Sequence, residues 1–331
     1  MSPLLPPDEM DRRDFLRRAG LAGLGLAAAG ALGWWAYDGR GPLASGEAGP
    51  QVKLPSYAVP GQDRKLALVK SGHRAPALRA GLEALGGIKA FVRSGDQVAL
   101  KVNAAFATPP ALGATTHPEL VTEMVRLCLS AGARRVVVTD NPINDPASCF
   151  ALSGIGPAAR TAGAQVALPS AEAFRPTTLA GGRLIKDWPL LYGPLKGINK
   201  LIGLAPVKDH HRSRASVTMK NWYGLLGGRR NVFHQDINGI IAELARLVTP
   251  SLVVADGVVS LVKNGPTGGS LEDLRPTDTL ILGTDQVAVD ALAVGLLGLN
   301  PNQVPYLGLA AAAGVGTLDL PSLKPVRVEL G

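Results

Sequence analysis

Apolar runs of four to six residues alternate along this chain with longer amphipathic stretches. Lys65 to Val69, Gln97 to Val102, Arg135 to Thr139 and Gln165 to Leu168 read as strands, the third almost wholly β-branched. Ala75 to Phe91 predicts a helix between the first two. Thr116-His117-Pro118-Glu119 opens the best-marked helix, with a capping box and a first-turn proline to satisfy free amides. Leu120, Met124, Leu127, Cys128 and Ala131 then share one face, and Gly132 ends it. A helix over about 147–163 precedes the short strand at 165–168. Residues 171–199, with Trp188, Tyr192 and several Gly and Pro, interrupt the alternation and predict an inserted hairpin or small subdomain. Beyond it, Leu201 to Ala205, Leu252 to Ala255 and Thr279 to Leu282 are strands. Ile237, Ile240, Ile241, Leu244 and Leu247 mark one more helix and residues 285–298 another. This order predicts an α/β fold, a mostly parallel sheet with helices on both faces.

The first 49 residues stand apart from that pattern. Arg12-Arg13-Asp14-Phe15-Leu16-Arg17 is a twin-arginine pattern, and Ala19 to Tyr37 follows without a charge. Such a segment is long enough to span a bilayer. It predicts a periplasmic or exported protein handed to the twin-arginine export machinery, whose only membrane contact is this segment. Ala44-Ser45-Gly46 is the nearest substitute for a cleavage site, so removal and retention of residues 19–37 as an inner-membrane anchor are both open. Residues 50–331 form the α/β domain, as one body or two lobes.

Composition narrows the function. Over 331 residues, 34 Lys and Arg against 26 Asp and Glu give a formal net charge of +8, which favours anionic partners. Nucleic acid is not expected, because the basic residues are not interleaved with aromatics. Two cysteines, Cys128 and Cys149, are too few for an iron–sulfur cluster from this chain alone. They are read as a core residue and a second thiol, with a disulfide between them as an option in an oxidising compartment.

The densest chemistry lies in residues 206–224, where an apolar strand runs into Lys208, His210, His211, Lys220 and Asn221. Other polar residues also follow strand ends: Lys101 and Asn103, Asp140 and Asn141, and Asp256. In a parallel sheet those ends share one edge and gather into a crevice. The crevice is expected to bind a small carboxylate or phosphate. His210 or His211 would be its general acid/base, His234 a further catalytic histidine and Lys220 an electrostatic or covalent anchor. Lys101, Asn103, His117, Asn141, Lys208 and Asn221 would hold the anion, and Asp140 or Asp256 would orient a histidine or a metal. The glycines after Asn264 would let backbone approach the ligand. Asp290, in the middle of an apolar helix, needs a buried cation or amide to pair with. A binding protein that holds an anionic ligand or cofactor without turnover is the alternative. No Walker or dinucleotide glycine pattern is present.

Several of these stretches resemble the domain-of-unknown-function family 362. They are Leu100-Lys101-Val102-Asn103, Thr116-His117-Pro118-Glu119-Leu120, Val136 to Asp140, Lys208-Asp209-His210, Thr218-Met219-Lys220-Asn221 and Gly283 to Asp290. The resemblance implies an α/β fold and an association with redox-type cofactors. Members with a cysteine-rich ferredoxin segment have no counterpart of it here. A fainter similarity is to the nickel-pincer lactate racemases, in which a histidine, a cofactor-bearing lysine and a second histidine have the spacing of His210, Lys220 and His234. It implies a metal or organometallic cofactor on Lys220. Thr139-Asp140-Asn141 and Thr218-Met219 depart from the racemase pattern at the positions of its Gly-Thr-His and Gly-Gly.

Overall fold

The structure, a computed structural model, describes residues 11–35 and 49–330. The chain divides into two units, residues 1–39 and 40–331. In the first, helix α1 (Arg12–Trp35) includes Phe15–Trp35, 21 residues that are long and apolar enough to cross a membrane. Ala44-Ser45-Gly46 lie outside the described residues.

The second unit is built on one nine-stranded sheet. Its strands are β1 (Leu66–Lys70), β2 (Gln97–Lys101), β3 (Arg135–Thr139), β4 (Gln165–Ala167), β7 (Lys200–His210), β8 (Arg214–Ser216), β9 (Leu252–Leu261), β10 (Leu274–Gly283) and β11 (Val326–Glu329). β5 (Phe174–Thr177) and β6 (Trp188–Leu191) form a separate antiparallel hairpin inside the interruption at 171–199. The order across the main sheet is β11-β1-β10-β9-β7-β2-β3-β4, with β8 folded back on β7. Neighbours β9, β7, β2, β3 and β4 are all parallel. β10 runs against both β9 and β1, so the sheet is mostly parallel with an antiparallel strand set into it.

Side-chain alternation sorts each central strand between two cores. Val136 and Val138 join α2 (Arg74–Ala84), α3 (Pro118–Ser130) and α5 (Ile155–Thr161) on one face, through Leu78, Leu82, Leu120, Met124 and Ile155. Val137, Leu201 and Val253 face the other core, filled from α7 (Ile237–Leu247), α8 (Gln286–Leu296) and α9 (Pro305–Ala312) by Ile240, Ile241, Val287 and Tyr306. Helices therefore cover both faces.

Differences from the sequence expectation have local causes. The helix foreseen over 147–163 is two, α4 (Pro146–Leu152) and α5, because Gly154 takes a φ of 73° between them. The helix over 75–91 stops at Ala84, where Gly86 and Gly87 both have positive φ. β9 does not end at Ala255 but runs on to Leu261, since β10 pairs with it along nearly its whole length. β7 likewise reaches His210, with a bulge at Pro206–Lys208 in its pairing to β9. That bulge re-aims the chain just before the first histidine. Cys128 and Cys149 are both buried and free.

Short helix α6 (Thr218–Asn221) packs onto β7 through Trp222, whose indole donates to Gln286 at 2.6 Å. Gln286 in turn donates to Ala245 O and Val248 O at the end of α7. Gly203 of β7 leaves room for that indole, because a Cβ there would lie 2.8 Å from Trp222 Cη2. Gly203→Ala should therefore destabilise the fold by about 1–3 kcal/mol, by forcing apart two packed layers. Urea unfolding followed by Trp fluorescence measures this, and an unchanged midpoint would contradict the packing.

Candidate active site

At the carboxyl edge of the parallel strands is a cleft of about 250 Å³. Its floor follows from strand register. Lys101 ends β2 opposite Thr139 of β3, so Asp140, one residue on, falls beside it. Lys101 Nζ meets Asp140 Oδ1 at 2.7 Å, with both side chains almost fully buried. The same ammonium donates to Val102 O and to Asn221 Oδ1, which uses all three of its protons. Asp140 also accepts from Ala104 N and Asn141 N. Asn221 closes the circuit by donating to Lys101 O and Leu204 O. Burial pulls the Lys101 pKa down while Asp140 opposes it. The chain of the next turn crosses directly above, at Gly224. A Cβ there would stand 1.9 Å from Asp140 Oδ1 and 2.7 Å from Lys101 Nζ, so this crossing requires glycine.

Three more cations surround the floor. Arg230 spends its guanidinium on four main-chain carbonyls, those of Tyr223, Leu226, Asn141 and Pro142, and so ties two distant loops together. Lys208 is buried and donates to Ala114 O at 2.5 Å, 5.2 Å from the Phe106 ring centroid. Burial, and then repulsion from Lys220, bring its pKa down to about 7. Lys220 differs from all of these. Its ammonium lies 5.3 Å from the Tyr223 ring centroid and has no hydrogen-bond or ion-pair partner among the described residues. Burial, and then Arg230, draw its pKa down to about 8.

The histidines form one wall. Rings of His211 and His210 stack at 5.0 Å and 11°, and His234 follows His210 at 6.3 Å and 21°. His210, the last residue of β7, is buried, and His211, in the turn that follows, is exposed, yet their stacked rings both line the cleft. His210 Nδ1 accepts from the backbone N–H of Arg212 and Ser213, which leaves the proton of the neutral ring on Nε2. Burial, then Lys220, hold its pKa down to about 2. Burial and Lys220 also lower that of His234, whose Nδ1 faces Tyr223 OH at 3.3 Å.

Of the residues singled out in the sequence, Lys101, Asn103, Asp140, Asn141, Lys208, His210, His211, Lys220, Asn221 and His234 line this cleft. Three expectations need correcting. His117 caps α3, accepting from Glu119 N, and lies near Arg74 and Asp256, away from the cleft lining. Asp256 sits in the middle of the lengthened β9, bound by Arg74 at 2.7 Å and by Val258 N. Asn264 is turned to Asp273 at 2.6 Å. Lys101 and Asp140 line the wall, yet their hydrogen bonds are spent on each other and on the backbone. Arg230, Tyr223 and Phe106 were missed from the sequence. No spacing marks Arg230, because its partners come from segments about 90 residues apart in the chain.

A metal ion held by imidazole stays close to the plane of each ligating ring, about 2 Å from its nitrogen. The nearly parallel His210, His211 and His234 occupy separate planes, so they do not converge on a shared ion in this arrangement. Among the described residues no three His, Cys, Asp or Glu side chains group as metal ligands.

The sequence profile of DUF362, a domain of unknown function, matches residues 98–295, a stretch that contains every residue lining the cleft. The chain belongs to the DUF362 family. A thylakoid-associated protein of Synechocystis sp. is 26% identical over 274 residues, covering 79% of each chain. Among solved structures, a protein from Thermotoga maritima matches with a TM-score of 0.33 and 10% identity, over 56% of this chain and 51% of that one. The lactate racemase apoprotein of Thermoanaerobacterium thermosaccharolyticum gives a TM-score of 0.34 and 13% identity, over 63% and 53%. The chain thus spans about half the length of these two solved proteins.

In this DUF362 chain the buried acid of α8 supports the site from behind. Asp290 accepts from Thr218 N at 2.9 Å, Met219 N at 3.1 Å and Thr218 Oγ1, and so holds the first turn of α6, which carries Lys220 and Asn221. Its partners are amides and a hydroxyl, not a cation. Burial raises its pKa to about 7 against the pull of these three donors. Asp290→Ala leaves them unpaired and should cost about 3 kcal/mol, whereas Asp290→Asn, which keeps an acceptor oxygen, should recover most of this. Chemical denaturation of the two variants checks it; equal losses would show that one acceptor oxygen in the same shape does not replace the carboxylate.

Proposed function

We propose that the cleft is the active site of an enzyme acting on a small carboxylate- or phosphate-bearing substrate, and that Lys220 is its reacting group. The observation that carries this is the Lys220 ammonium, without a partner among the described residues, in a cleft whose only carboxylate among those residues, Asp140, is already committed to Lys101. Four cations, Lys101, Lys208, Lys220 and Arg230, meet one carboxylate there. An incoming anion relieves repulsion that the folded protein otherwise carries. Lys208 has donors left after Ala114 O, and Asn103 Nδ2 has no partner among the described residues, so both are placed to hold the anionic group. Neutral His210 presents Nε2–H as a donor, while Lys220, near neutrality, alternates between ammonium and free amine and so serves in proton transfer or as a nucleophile.

The same proposal places the protein on the outer side of a membrane, delivered by the twin-arginine machinery and either released or anchored through α1. The length and apolar composition of Phe15–Trp35 support this, as does the membrane association in the name of the Synechocystis relative.

Sulfate, whose charge is constant over the relevant range, tests the cleft by calorimetry. Bound sulfate raises the pKa of both lysines, so affinity should be full below pH 7, where both are protonated. It should fall as pH rises through about 7 and then about 8, as each loses its proton. Lys208→Ala should weaken binding about tenfold or more, the loss expected for one charge-assisted hydrogen bond. Affinity that is independent of pH and of Lys208 would refute the site.

A further inference from the structure

Among the four cleft cations, the bonding pattern separates structural from chemical roles. Lys101 donates three hydrogen bonds, Lys208 one and Arg230 four, whereas Lys220 donates none among the described residues. A lysine without an acceptor has its donors free for an incoming anion and, because no acceptor stabilises its protonated form, its lone pair available to carbon. Two of the other groups able to act as bases are restricted. Asp140 is paired, and His210 Nδ1 is occupied by two backbone N–H groups. Nε2–H of His210 remains as a neutral donor on the cleft wall, and Lys208 and Asn103 offer donors for a carboxylate.

Resting on the function proposed above, we infer that the substrate class is a carbonyl-bearing anion of the 2-oxo acid type, and that Lys220 joins it as an imine. The free amine of Lys220 adds to the carbonyl carbon; a C–N bond forms and the carbonyl π pair moves to oxygen. That oxygen takes one proton from the attacking nitrogen, giving a carbinolamine. A proton from solvent on the hydroxyl, to which His210 Nε2–H donates a hydrogen bond, lets it leave as water while the nitrogen lone pair closes the C=N bond, and the iminium nitrogen then returns its proton to solvent. The sum is amine plus ketone to imine plus water, with no oxidant or reductant. A small 2-oxo acid suits the space, because its carboxylate and carbonyl are on adjacent carbons and the cleft is about 250 Å³.

The test uses the full chain in detergent, with pyruvate and glyoxylate as probes and sodium cyanoborohydride to reduce any imine to a stable secondary amine. Intact-mass spectrometry should show one adduct per chain, peptide mapping should place it on Lys220, and sulfate should protect against it. Lys220→Arg, confirmed as folded by circular dichroism, should lose the adduct. No adduct, or labelling spread over surface lysines without preference for Lys220, would overturn the inference. Sulfate calorimetry on the same sample separates the two readings. Sulfate bound without any adduct defeats the imine and leaves the anion site standing; no sulfate bound defeats both.

Discussion

A lysine and an aspartate, buried together at the ends of adjacent parallel strands, set the geometry of everything around them. Taking two charges out of water costs several kcal/mol each, and their attraction offsets this only when the remaining donors and acceptors are also satisfied. Lys101 and Asp140 meet that condition in full, through Val102 O, Asn221, Ala104 N and Asn141 N. The consequences spread outward. Asn221 must sit where it bridges β2 and β7, which fixes α6, and the chain above the pair must be glycine, which fixes Gly224. Lys220 and Tyr223 lie within that same short run, so the floor dictates where the Lys220 amine and its aromatic neighbour stand.

Around this neutral floor the balance of charge is deliberately uneven. Arg230 is consumed as a staple between loops, Lys208 is half consumed, and Lys220 is free. Burial lowers both lysine pKa values toward neutrality, helped by repulsion from Lys220 at Lys208 and from Arg230 at Lys220. A cleft built this way is stable only because its cations are anchored from elsewhere: Arg230 by four carbonyls and the Lys220 segment by Asp290 from α8.

Much of the fold was legible in the sequence because its signals are local. The first-turn proline of α3 and the β-branched run of β3 act over a few residues, and β3 spans Arg135–Thr139 as the pattern predicts. The expected Thr116–Glu119 capping box does not form: His117 is the cap, and the Thr116 hydroxyl donates to Leu204 O. Where partners are distant the reading failed. A solitary run at 252–255 does not reveal that β10 will pair beyond it, and so Asp256, taken as a strand-end residue, lies inside β9. His117 looked like an anion ligand at a helix start, but its Nδ1 is spent on capping that start. Asn264 was drawn off by Asp273.

The sequence by itself determined the α/β class, the edge on which the polar residues gather, and the cluster from Lys208 to Asn221. Those follow from periodicity and from the rule that parallel strands share a carboxyl end. Only the tertiary structure decided the roles within the cluster. That Lys101 is saturated and Lys220 without a partner among the described residues, that His210 is buried and His211 exposed, and that Arg230 belongs to the site at all, depends on carbonyls and side chains brought from remote parts of the chain. Hydrogen-bond occupancy is a property of the packed molecule, and no spacing of residues along the chain encodes it.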